Sequence, residues 1–175
     1  MIMRSGEQLL LPANPWYIWG SLLAALMVNV LLSHLFGRAA WPPDVLALAL
    51  VFWTLHQPLR IGVGIAFMFG LAMDVHQGAL LGQHALAYTA LCFFAITISR
   101  RLLWYSIPSQ ALQIFPLLVG AHALQFAVRL MAGNSFPGWS FALAPVIEAL
   151  LWPVITIILL APQMRAPDPD ANRPL

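Results

Sequence analysis

The residues best able to do chemistry in this chain are a few polar side chains stranded among apolar runs. The stretch from Met68 to Tyr88 reads MFGLAMDVHQGALLGQHALAY, and Asp74 sits in it at the end of a hydrophobic run. Asp74 and His76, with His84 nearby, offer oxygen and nitrogen donors of the kind that ligate metals. Asp-x-His alone is too small a set, so no metal and no other cofactor is expected. Serines near the histidines lack a nucleophile motif, and HExxH is absent. Nucleotide hydrolysis needs a phosphate-binding loop with Lys, and the chain contains no Lys at all. No large extramembrane segment exists to house an active site. A binding, transport or scaffold role is expected, and not an enzyme.

The elements that must position these residues follow from composition. Of 175 residues, 61% are hydrophobic and 8% charged, against about 25% charged in soluble domains. So much apolar surface cannot be hidden in one water-soluble core, and an all-α integral membrane protein is the expected class. The formal charge of +2 reflects scarce acids, not a basic patch, so no nucleic acid partner is expected. A single cysteine, Cys92, excludes an intrachain disulfide and reads as core packing. Arg4, Glu7, Pro12 and Pro15 precede the first apolar run without a small-residue cleavage site, which predicts a retained helix and not a signal peptide.

A crossing helix needs roughly 17–25 residues. The apolar runs predict six spans: Trp16–Phe36, Asp44–His56, Ile61–Val75, His84–Ile98, Ile107–Met131 and Phe141–Leu160. The second to fourth are short. With six spans, Arg4, Arg60, Arg100, Arg101, Arg165 and Arg173 fall on one side, and only Arg38 and Arg129 on the other. The positive-inside rule then places both termini in the cytoplasm. The expected division is a cytoplasmic segment 1–14, a transmembrane domain 15–161 and a disordered Pro-rich tail 162–175. Trp16, Trp19, Trp41, Trp104, Tyr105 and Trp139 lie near span ends and read as interfacial anchors.

Under this topology the polar groups gather in the outer half: Asn29, Ser33 and His34 on span one, Asp44 opening span two, Asp74 closing span three. Gln83, His84 and Tyr88 open span four, His122, Gln125 and Arg129 follow on span five, and Glu148 sits on span six. His122, Gln125 and Arg129 share one helical face, as do His84, Tyr88 and Cys92. Two readings stand: a polar cavity facing outward, or interhelical hydrogen bonds worth about 0.6 kcal/mol each. A buried carboxylate needs a partner, so Arg129 is expected to contact Asp74 or Glu148, with His84 a second candidate for Asp74. Gly62, Ala66, Gly70 and Asp74 recur every four residues, a stripe that admits a neighbouring backbone and aims Asp74 into an interface. Gly78 and Gly82 continue the spacing beyond the expected helix end, where they suit a tight re-entry. Pro153 frees the Ala149 carbonyl and predicts a kink beside Glu148.

These residues resemble a known pattern. Pro43-Asp44, Leu46-Ala47-Leu48, Trp53, Pro58, Arg60, Gly62 and Gly70 look like the first half of the rod-shape-determining protein MreD family. Leu71-Ala72-Met73-Asp74, Gly78 and Leu81-Gly82-Gln83-His84-Ala85-Leu86-Ala87-Tyr88 continue it, and Ala149-Leu150-Leu151-Trp152-Pro153 looks like its closing helix. The resemblance covers roughly residues 15–160, with 70–88 its specific part. It implies a multi-pass protein of the bacterial inner membrane with no recognised catalytic residues. It also implies a role in the elongasome, the machinery of lateral peptidoglycan synthesis that sets cell shape. Its implied partners are an MreC-type protein first, then MreB, a RodA-type glycosyltransferase and a penicillin-binding transpeptidase. It implies a fold like the substrate-binding subunits of energy-coupling-factor transporters, so a vitamin-importer subunit is the competing expectation.

Overall fold

The computed structural model describes residues 14–36, 42–133 and 138–163, with only the backbone of Trp139. Arg4, Arg38, Arg165, Arg173, Trp41 and nearly all of the expected terminal segments lie outside the described residues. Six α-helices follow in order: α1 (Pro15–Phe36), α2 (Val45–His56), α3 (Val63–Gln77), α4 (Gln83–Leu102), α5 (Ile107–Met131) and α6 (Leu143–Leu160). A 3-10 turn, Trp139–Ala142, leads into α6, and another, Ala161–Gln163, closes it. No strand occurs among the described residues. Four helices, with the 3-10 turns counted into the last, are long and apolar enough to cross a membrane; α2 and α3 are shorter.

The short helices differ in what surrounds them. Every residue of α2 from Leu46 to Leu55 is buried. A helix apolar all round belongs at the centre of a bundle, and α2 packs against α1, α4 and α6. Being enclosed by protein, it does not need the length of a lipid-facing span. Phe52, Trp53, Tyr88 and Trp152 are the largest side chains of this core. Trp53 donates its indole N–H to Ser21 Oγ at 2.8 Å, which ties α2 to α1 without leaving a buried polar group open. Outward, α1 exposes Leu23, Met27, Leu31 and Leu35 at four-residue spacing, an apolar stripe suited to lipid. Trp16, Trp19, Trp104 and Tyr105 are also exposed.

Apolar runs marked most boundaries well, but not that of α4. This helix continues past Ile98 to Leu102, so Arg100 and Arg101 occupy its last turn instead of a loop. Hydropathy tracks lipid contact, whereas a helix stops where its backbone bonds stop. Cations in a last turn also complement the negative end of the helix dipole. α6 runs on through Pro153, and α5 through Pro116.

α3 and α4 form a close hairpin. A Cβ added to Gly70 would lie 2.6 Å from Ala85 N and closer still to its Cα, so only glycine lets the two backbones approach this far. Ala66 and Asp74, on the same stripe, are fully buried. Gly62 does not belong with them. It precedes α3 in an extended conformation, and a Cβ there would meet only Pro58 O at 3.8 Å. The expected helix-packing role of Gly62 is therefore corrected, because the four-residue stripe begins before the helix does.

Candidate functional site

The re-entry from α3 to α4 is built on two glycines. Gly78 ends α3 in the left-handed region at φ 59°, its N–H returning to Val75 O at 3.3 Å. Ala79 N–H then reaches Asp74 O at 3.0 Å, which satisfies a carbonyl at the helix end. Gly82 stands at φ 105° immediately before α4 and has no side chain with which to cap it. The cap comes from Asp74 instead. Its Oδ2 accepts from Gly82 N at 2.8 Å and Ala85 N at 3.3 Å, and its Oδ1 accepts from His84 N at 2.8 Å. His84 Nδ1 lies 2.8 Å from the same Oδ1. A helix N-terminus presents unpaired N–H groups and a positive dipole end. A fully buried carboxylate placed there by the preceding helix answers both.

A second carboxylate does the same for α2. Asp44 is its N-cap, accepting from Ala47 N at 2.9 Å. Asn29 on α1 donates Nδ2 to Asp44 Oδ1 at 2.6 Å, and its Oδ1 accepts from Val45 N at 2.9 Å. Tyr88 on α4 donates its hydroxyl to Asp44 Oδ2 at 2.5 Å. Asp44 N–H goes to Glu148 Oε1 on α6 at 2.9 Å, and His122 Nε2 on α5 lies 2.9 Å from that same oxygen. The backbone N–H groups of Asp44, Val45 and Ala47 are thus each taken by a side chain, two of them from other helices. The His84 ring meets Tyr88 edge-on with centroids 5.9 Å apart, which joins this cluster to the Asp74 cap. Elements from all six helices meet in one hub.

Helix rise sets its depth. At 1.5 Å per residue, Asn29 lies about 10 Å in from Phe36, Tyr88 about 8 Å from the start of α4, Glu148 about 8 Å from the start of α6, and His122 about 14 Å from Met131. The N-terminus of α2 is therefore recessed behind the ends of the helices around it. Glu148 Oε2 and His122 Nδ1 are buried and have no hydrogen-bond partner among the described residues. The hub keeps one acceptor and one ring nitrogen beyond those its internal bonds use.

Of the residues singled out by sequence, Asp44, Asp74, His84, His122 and Glu148 come together here. Gln125 is buried on α5, one turn from His122. Arg129 does not join: it forms no ion pair with Asp74 or Glu148, both of which pair with histidine instead. It occupies the last turn of α5, half-buried near the bundle end, where its charge complements the α5 dipole. Its place on the His122 face was legible; its distance from the carboxylates was not. His76 turns away from Asp74 to Ser33 Oγ at 2.9 Å and stacks on His34 with centroids 5.7 Å apart, a tie between α3 and α1.

Asn29 and Tyr88 are hub members that sequence reasoning noted as polar but did not place among the site residues. The available signal was an amide inside the apolar run of α1, and a tyrosine one turn after His84 on the same face. Tyr88→Phe removes one interhelical bond and should lower stability by about 1–2 kcal/mol. Titrating purified protein with a denaturing detergent would check this; an unchanged midpoint would mean that the bond adds nothing.

A family model described as rod shape-determining protein MreD matches residues 12–162. The rod shape-determining protein MreD of Haemophilus influenzae is 27% identical over 152 residues, covering 81% of this chain and 89% of that protein. No solved structure matches the chain.

Proposed function

The chain belongs to the MreD family of rod shape-determining proteins, and from that premise we propose that it is a non-catalytic scaffold subunit of the machinery that builds the lateral wall of rod-shaped cells. Both termini lie in the cytoplasm in this reading, and the protein resides in the inner membrane. The observation that carries the proposal is how the carboxylates are used. Asp44 and Asp74 cap helix ends, and Glu148 takes a backbone N–H and an imidazole. Their remaining bonds go to the Asn29 amide, the Tyr88 hydroxyl and the imidazoles of His84 and His122, all of which tie one helix to another and support a structural role. Together the carboxylates fix the outer ends of six helices relative to one another.

A rigid outer end is what a membrane scaffold offers its partners. The recess over the α2 N-terminus is the place where a membrane-proximal segment of an MreC-type protein docks. In this reading the segment reaches Glu148 Oε2, which is buried and has no hydrogen-bond partner among the described residues. MreB, a RodA-type glycosyltransferase and a penicillin-binding transpeptidase complete the assembly in this reading.

Depletion in the host tests it. Rod-shaped cells losing the protein should become round, and a plasmid copy should restore them. The MreC-type protein should co-purify with the wild-type chain. Cells that stay rod-shaped after full depletion would rule the reading out.

A further inference from the structure

At the end of the bundle opposite the hub, the turn between α4 and α5 carries a shallow, open cleft of about 550 Å³ lined by Arg100, Arg101, Trp104 and Tyr105. We propose that this cleft binds the headgroup of an anionic phospholipid, with the two guanidinium groups on the phosphate and the two aromatic rings against the glycerol and upper acyl region. The proposal does not depend on the hub or on any particular partner.

Charge is the first argument. Arg100 and Arg101 are exposed, and neither forms an ion pair or side-chain hydrogen bond among the described residues. The carboxylates among those residues are Asp44, Asp74 and Glu148, all gathered at the other end of the molecule. Nothing described there neutralises the two cations. α5 starts directly after the turn, so the positive end of its dipole adds to the same field. Guanidinium groups match phosphate oxygens in geometry as well as in charge.

Depth selects a lipid over an acidic protein segment. The cleft follows the last turn of a 20-residue apolar helix, which places it at the membrane boundary. Trp104 is 90% exposed and Tyr105 43% exposed. Rings of this kind favour the headgroup level of a bilayer, and basic pockets at helix ends there take anionic headgroups.

The turn is also set before anything binds. Leu103 N–H, Trp104 N–H and Tyr105 N–H donate to Ser99 O, Arg101 O and Leu102 O at 3.1, 3.3 and 3.2 Å. Buried Leu102 anchors it from below, and Gln110 Nε2 holds Tyr105 O at 3.0 Å. The backbone of the turn therefore needs little further ordering by a ligand.

The full chain would be reconstituted in nanodiscs containing phosphatidylglycerol and phosphatidylcholine, and retained lipid counted by native mass spectrometry after gentle delipidation. Wild type should keep phosphatidylglycerol over phosphatidylcholine on the order of tenfold. The double variant Arg100→Gln, Arg101→Gln should lose this preference, and Trp104→Ala should weaken retention several-fold. Arg129→Gln, at the opposite end, should behave as wild type. Equal retention of both lipids by wild type would overturn the proposal. So would a preference that survives in the double variant, or one that falls equally with Arg129→Gln.

Discussion

Asp74→Ala should destabilise the folded chain by about 3–5 kcal/mol, from a lost helix cap and several stranded buried donors together. The carboxylate accepts from Gly82 N, His84 N and Ala85 N, and pairs with His84 Nδ1. Alanine leaves all of these without an acceptor, and the donors of His84 and Ala85 are buried. A lost helix cap costs about 1 kcal/mol, and each stranded buried donor about 1–3 kcal/mol. Relaxation of the turn returns part of that sum. Asp74→Asn keeps one acceptor oxygen and should lose roughly half as much. Unfolding in mixed detergent micelles reads both numbers directly. If the alanine variant unfolds at the wild-type midpoint, the cap is not what holds α4 in place.

The second large effect is expected at Gly70. Gly70→Ala adds one methyl group where the Ala85 backbone already stands. Neither partner atom belongs to a flexible side chain, so the helices must separate. Overpacking of this kind costs about 1–3 kcal/mol, and the upper end is expected here because backbone, not a rotamer, must yield. Separation also pulls the N-terminus of α4 away from Asp74, so the double variant should lose less than the two single losses combined. Gly64→Ala is the internal control. It lies on the same helix with nothing within 4 Å of its added Cβ, and helix propensity predicts a gain of up to about 1 kcal/mol. Equal behaviour of the two variants in the same assay would remove the argument for close packing.

How much of this was legible beforehand depends on which force sets each feature. Hydropathy gave α1 and α5 almost to the residue, because both are long apolar runs with most of their residues facing outward. It gave α2 as well, but not that α2 is central; a mostly apolar run of twelve residues looks alike whether lipid or protein surrounds it. The every-fourth-residue stripe correctly put Ala66, Gly70 and Asp74 on one buried face. It failed at Gly62, since periodicity carries no mark of where a helix begins. Of the two candidate partners for Asp74, His84 pairs with it and Arg129 does not, for a physical reason. Opposite formal charge drew attention to Arg129, yet a buried carboxylate needs donors at bonding distance, and helix N-termini with imidazoles supply these. Such a cap reaches from one helix to the next, and no sequence spacing records it.

The enclosure of α2 has a consequence for how the protein is made. Chains emerge from the ribosome N-terminus first, so α2 is complete long before α4, α5 and α6 exist. Asp44 at its N-terminus waits for the Tyr88 hydroxyl on α4, and its N–H waits for Glu148 on the last helix of all. Until then the second helix is too short to be comfortable in lipid and has no finished interior to enter. The centre of the bundle is therefore closed only by the final helix, which brings Glu148 to the α2 N-terminus and Trp152 to the core.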